Sequence, residues 1–141
     1  MLYSFSVQNI YNKFYPEVNK VLCMETAAKR LGLSTSWGIP VCFFYDNGEV
    51  INSEYLMGIK VKSIDEIHQN VVDGAYCTTP EQTICDLFRF NGSIQSLNES
   101  LIKYYYINSG NIQPLLNLAK DFGIEDKLRN KLRSALKYYN E

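Results

Sequence analysis

An α+β fold, with a small antiparallel or mixed sheet in the first half packed by a C-terminal run of about four helices, follows from three features of the chain. Hydrophobic residues repeat with period two, or in short β-rich runs, as far as Cys77, and with a period of about 3.6 from Thr79 onward. Helix starts in the second half carry their own caps, at Thr79-Pro80 and at Ser93. Length and composition agree: 141 residues, 46% hydrophobic and 21% charged, describe one packed domain over 1–141 rather than a disordered chain.

In order along the chain, Phe5, Val7, Ile10, Tyr11 and Phe14 predict a short helix that Pro16 ends. A second helix is expected from Cys23 through Glu25, Ala27, Ala28 and Leu31, closing at Gly32, where a left-handed residue ends helices readily. Ile39 to Tyr45 is β-rich. Asp46-Asn47-Gly48 then reads as a hairpin turn, and Glu49 to Leu56 as the returning strand. Lys60 to Ile64 alternates as a half-buried strand, and Val71-Val72 with Ala75-Tyr76-Cys77 supply one or two more.

Behind Thr79 the helical pattern is continuous. The Thr79 hydroxyl caps, Pro80 suits the first helical position, and Gln82 stands three residues on as a capping-box partner. Ile84, Leu87 and Phe88 form the apolar face of that helix, with Glu81 and Asp86 off it. Ser93 caps a helix bearing Ile94, Leu97, Leu101 and Tyr105. Asn111 begins the next, with Ile112, Leu115, Leu116 and Ala119, Pro114 in its first turn and Gly123 at its end. The last helix opens on Glu125 and Asp126, buries Leu128, Leu132, Ala135 and Leu136, and carries Lys137 near its end, matching the helix dipole at both termini.

The net charge of −1 gives no global field towards nucleic acid or anionic lipid. No window approaches the ~18 apolar residues of a membrane span, and no apolar stretch follows a basic start, so a cytoplasmic protein without membrane contact is expected. Cys23, Cys42, Cys77 and Cys85 contain no C-x-x-C pair and share one histidine, His68, which favours free buried thiols over a zinc site. His68 and Cys77, nine residues apart, are a possible base and nucleophile, with no third group to orient them. Phosphate-cradling glycine loops, H-E-x-x-H and G-x-S-x-G are absent, so neither catalysis nor a cofactor is expected.

Lys127, Arg129, Lys131, Arg133 and Lys137 place five cations in eleven residues with no acid among them. The ordinary reading is a solvated helix face, offset by Glu125 and Asp126; the alternative is a site for a polyanion or an acidic partner, with at most weak nucleic-acid binding. Tyr104, Tyr105 and Tyr106 point in three directions on a helix, which suits core and rim better than a stacking platform.

Two segments, in this order, carry a resemblance. Cys23-Met-Glu-Thr-Ala-Ala-Lys-Arg-Leu-Gly-Leu33 resembles the (Cys/Ser)-Leu-Glu-(Thr/Ser)-Ala-Leu-x-x-x-Gly-Leu helix of the AbiEi family, the antitoxin components of type IV toxin–antitoxin systems. Thr79-Pro-Glu-Gln-Thr-Ile-Cys-Asp-Leu87 resembles that family's Pro-Glu-Arg-Thr-hydrophobic-hydrophobic-Asp signature, with Gln82 in place of the frequent arginine. The leucine-bearing, basic tail is similar as well, so the likeness spans roughly 20–138 and singles out Glu25, Thr26, Thr79, Pro80, Glu81, Thr83 and Asp86. It implies an antitoxin that neutralises a nucleotidyltransferase-like toxin in bacterial abortive infection and phage defence, with no stable toxin–antitoxin complex required. Full-length members begin with a winged helix-turn-helix, for which this chain has no room, so promoter binding is not implied. The competing expectation is a non-enzymatic protein- or nucleic-acid-binding module encoded on a phage or other mobile element.

Overall fold

The structure, a computed structural model, describes residues 19–35 and 40–139. The helix expected over the first fifteen residues lies outside these. Five strands, β1 (Lys20–Leu22), β2 (Val41–Tyr45), β3 (Leu56–Lys60), β4 (Gln69–Val72) and β5 (Ala75–Thr78), form one mixed sheet in the order β3-β2-β1-β5-β4, and the four helices of the second half follow it in sequence, so the α+β expectation holds. The central strands are β1 (Lys20–Leu22) and β2 (Val41–Tyr45), paired antiparallel with Leu22 opposite Phe43. All five residues of β2 are buried, which accounts for a continuous apolar run where a half-exposed strand would alternate.

The expected hairpin at Asp46-Asn47-Gly48 is not formed. β3 (Leu56–Lys60) pairs parallel to β2, from Val41 opposite Leu56 to Tyr45 opposite Lys60, so residues 46–55 carry the chain back along the sheet. The turn residues bond elsewhere: Asp46 Oδ2 accepts from Ile64 N at 2.9 Å and Asn47 Oδ1 from Asn19 N at 3.2 Å. In the return segment Asn52 Oδ1 accepts from Gly58 N, and Ser53 Oγ from Tyr55 N and Leu56 N. The strand expected at 60–64 is also displaced. Its last rung is Val61 N to Tyr45 O, where β2 runs out of residues, and Ile64–Glu66 then winds into a 3₁₀ turn.

The hairpin lies instead between β4 (Gln69–Val72) and β5 (Ala75–Thr78), whose register places Val72 opposite Ala75 around Asp73-Gly74. Both turn residues have positive φ, 51° and 81°, the backbone of a two-residue turn whose twist matches that of the strands. β5 returns to the sheet centre by pairing parallel with β1.

From β1 the chain passes without a loop into α1 (Met24–Arg30) through Cys23, leaving Met24 at φ 52°. Such a residue costs about 1–2 kcal/mol. It is held there because Cys23 N donates to Cys42 O and the Thr26 hydroxyl accepts from Cys42 N, pinning the turn to β2. α1 ends as expected at Gly32, φ 73°, with Gly32 N bonding Lys29 O and Leu33 N bonding Ala28 O.

α2 (Pro80–Arg89) starts at Thr79, whose Oγ1 accepts from Gln82 N. The capping box does not close, because the Gln82 side chain turns to Asp86 and Thr79 N donates to His68 O. α3 (Ile94–Ile107) is capped by Ser93; α4 (Gln113–Asp121) is preceded by Ile112 rather than Asn111 at the cap; α5 (Glu125–Tyr139) closes the described chain. The larger core joins Cys42 and Phe44 of β2 to Ile84, Leu87, Leu97, Leu101, Leu115, Leu128 and Leu132 of the helices. Leu22, Val41, Phe43, Tyr45 and Cys77 form a smaller cluster with Ala27. Among the described residues no helix is long and apolar enough to cross a membrane.

Candidate functional site

The two resemblance segments, distant in sequence, meet in space, with α1 packed directly on α2. Their polar side chains join elements to one another. Glu25 Oε2 accepts from Ser93 N at 2.9 Å, tying α1 to the start of α3. Thr26 ties α1 to β2 through Cys42 N at 2.8 Å, and the Thr83 and Thr78 hydroxyls share a 2.6 Å bond that fixes α2 to the end of β5. Glu81 Oε2 accepts from the Tyr104 hydroxyl at 2.7 Å, joining α2 to α3. Burial and the Glu81 carboxylate both raise the Tyr104 pKa, keeping that phenol a donor. Gly92 permits the Glu25 contact: a Cβ there would stand 2.6 Å from Leu87 Cδ2 and 3.0 Å from Glu25 Oε2.

Asp86 departs from the sequence reading, which set it off the apolar face. It is fully buried, because α2 is enclosed by α1, α3 and α4 together and every side chain from Gln82 to Leu87 lies inside. Its Oδ1 accepts from Gln82 Nε2 at 2.9 Å and faces Arg89 Nη1 at 3.4 Å; its Oδ2 has no hydrogen-bond partner among the described residues. Burial pushes this carboxyl up to about 7 against the opposing pulls of Gln82 and Arg89. The Arg89 guanidinium in turn lies over Phe122, 3.8 Å from the ring centre, and over Phe90 at 4.8 Å.

All four cysteines are free and buried, as expected. Burial raises the thiols, Cys42 and Cys85 to about 12, Cys77 to about 11 and Cys23 well above its usual range, which suppresses the nucleophilic thiolate. His68 is exposed on the strand edge and bonds Thr79 N through its carbonyl, and the hydrogen bonds among the described residues include none between its ring and Cys77. No cluster of three metal-ligating side chains occurs among the described residues.

The five basic residues all avoid the buried side of α5, yet they do not form one patch. Residues two apart on a helix diverge by about 200°, so Lys127 and Lys131 lie on one flank, Arg129 and Arg133 on the other, and Lys137 one turn beyond Arg133. Arg129 is half-buried and bonds Glu125 Oε1 at 3.1 Å. Tyr104 is buried, Tyr105 half-buried and Tyr106 exposed, the three directions expected. What the sequence reading missed is a groove of about 370 Å³ between α3 and α5, lined by Asn98, Ile102, Lys131, Ser134, Lys137 and Tyr138. The spacing 131, 134, 138 puts three of its residues on one flank of α5, which the run of cations obscured, but the crossing with α3 that completes the groove has no signal in either segment.

Searches against protein-family models, curated proteins and solved structures found no match for this chain.

The geometry makes Thr26 a test of how the resemblance segments work. Thr26→Val keeps the shape and removes the acceptor, leaving the buried Cys42 N–H unsatisfied. A loss of about 1–3 kcal/mol in urea unfolding is expected; an unchanged midpoint would show that the β2 contact does not hold α1.

Proposed function

We propose that this chain is an antitoxin-like protein of a bacterial type IV toxin–antitoxin system, neutralising a nucleotidyltransferase-type toxin in the cytoplasm without catalysis of its own. One observation carries the reading: the two segments that resemble the AbiEi family occur in its order and pack together, Glu25, Thr26, Glu81 and Thr83 are used there to join elements, and Thr79 caps its helix. Such a motif behaves as the signature of a scaffold, whose shape and surface then do the work. The toxin is the functional partner, and direct contact with it is not required by the resemblance.

A second reading, a non-enzymatic binding module encoded on a phage or other mobile element, is favoured by the basic groove between α3 and α5. Co-expression separates the two. Induction of a nucleotidyltransferase encoded beside this gene should arrest growth, and co-expression of the chain should restore it. Failure to restore growth with soluble, folded protein, or the lack of such a neighbour, would leave the binding module.

A further inference from the structure

The groove between α3 and α5 combines three features that converge on one ligand chemistry. Lys131 and Lys137 line it, and neither has an acidic partner among the described residues. The carboxylate nearest to it along α3, Glu99, is turned away to the hydroxyls of Ser34 and Thr35, so α3 contributes no charge of the opposite sign. Tyr138 stands at the rim with 82% of its surface exposed, an aromatic face with no core role. Asn98 on α3 and Ser134 on α5 add short polar groups, and the Asn98 Oδ1 is buried with no hydrogen-bond partner among the described residues. The terminal torsion of asparagine is broad and roughly two-fold, so the carboxamide can offer either its oxygen or its N–H groups to an occupant.

We propose that this groove binds a nucleoside phosphate, with Lys131 and Lys137 on the phosphate, Tyr138 stacked on the base, and Asn98 and Ser134 bonding sugar or base. The attraction comes from the lysines, because the C-terminal half of α5 presents the negative end of its dipole. Exposed aromatics beside cations are the general means of holding nucleotide units without reading sequence. A volume of about 370 Å³ falls at the small end of ligand sites, which suits one such unit rather than a folded partner. An acidic peptide would satisfy the lysines and leave Tyr138 without a planar partner. The same chemistry arises from a free nucleotide or from one unit of a single strand. The proposal stands apart from the antitoxin reading and survives or fails without it.

The test is an NMR titration of the isotope-labelled chain with inorganic triphosphate, with nucleoside triphosphates and with a short single-stranded oligoribonucleotide. Nucleotide-induced shifts should centre on Asn98, Ser134 and Tyr138. Tyr138→Ala should weaken nucleotide binding about tenfold or more, from the ~1–3 kcal/mol of a stacked base, while leaving triphosphate affinity unchanged. Lys131→Glu should weaken both. Equal affinity for nucleotide and oligonucleotide assigns a free nucleotide; tighter oligonucleotide binding, with a log–log salt slope of about 0.7 for each phosphate engaged, assigns a single strand. Because Tyr138 is exposed, its variant folds independently of the outcome at Lys131. Lys120→Glu makes the same charge change on α4, outside the groove, and an equal loss there would overturn the proposal in favour of a diffuse field. No shift in the groove with any probe, or displacement of nucleotide by polyglutamate at equal affinity, would overturn it as well.

Discussion

At about pH 8, Asp86→Asn should unfold at a higher urea concentration than the parent protein, and near pH 4 that advantage should vanish. The native Asp86 carboxyl holds its proton up to about 7, whereas an unfolded chain releases it near ~4. Between those values the native state binds more protons than the unfolded state, so stability is full below the lower value and falls as pH rises through the upper one. Three units correspond to a difference on the order of 4 kcal/mol, an upper estimate, since Asn lacks the charge that faces Arg89. Asparagine keeps an oxygen for Gln82 Nε2 and sets an uncharged amide where Oδ2 has no partner. Urea unfolding of both proteins across this range decides it, because other titrations cancel in the difference. Parallel curves would show that the carboxyl ionises in the fold without penalty. The same variant tests the proposed function: Asp86 is the motif residue whose second oxygen has no partner among the described residues, and a stabilised variant that does not restore growth where the parent does would assign that carboxyl to the proposed antitoxin activity.

How far the sequence discloses this structure depends on where each signal resides. Thr79, Ser93, Gly32 and Gly123 end or begin helices through bonds to residues three or four positions away, so their positions were legible. Strand pairing was not. Asp46-Asn47-Gly48 and Asp73-Gly74 carry the same turn chemistry, yet only the second joins antiparallel strands as a hairpin, while Asp46 and Asn47 bond to Ile64 and Asn19. β1 has three residues, too few for a period, and it is recognisable only through the neighbours that flank it on both sides. Asp86 looked solvent-facing because an amphipathic pattern assumes one buried face, whereas α2 is covered by three helices. The groove is a property of where α3 crosses α5, which no single segment encodes.

The second large effect is expected at the parallel pairing of β2 with β3, the part of the fold the sequence disclosed least. Phe43 is fully buried opposite Gly58, and its ring covers the glycine so closely that a Cβ there would lie 2.9 Å from Phe43 Cε2 and Cζ and 3.0 Å from Tyr45 Cε1. Phe43→Ala should cost about 3–5 kcal/mol, a large share of the ~5–15 kcal/mol that holds an ordinary domain together. Gly58→Ala should cost about 1–3 kcal/mol by overpacking. If the ring is what excludes a side chain from this position, the two losses are not additive: with Phe43 already removed, the methyl that Gly58→Ala adds occupies vacated space and its cost should fall towards zero. Phe43→Leu, which keeps more of the core, gives the same comparison in a background that remains folded. Additive losses in that double-mutant cycle would mean that the Tyr45 ring, 3.0 Å from the added methyl, and not Phe43, keeps this position a glycine. The coupling reaches the resemblance segments through Cys42, the residue beside Phe43, whose N–H is bonded to Thr26. A sheet that slips between β2 and β3 shifts the anchor of α1, so under the proposed antitoxin function Gly58→Ala should weaken rescue of growth in proportion to its loss of stability and no further.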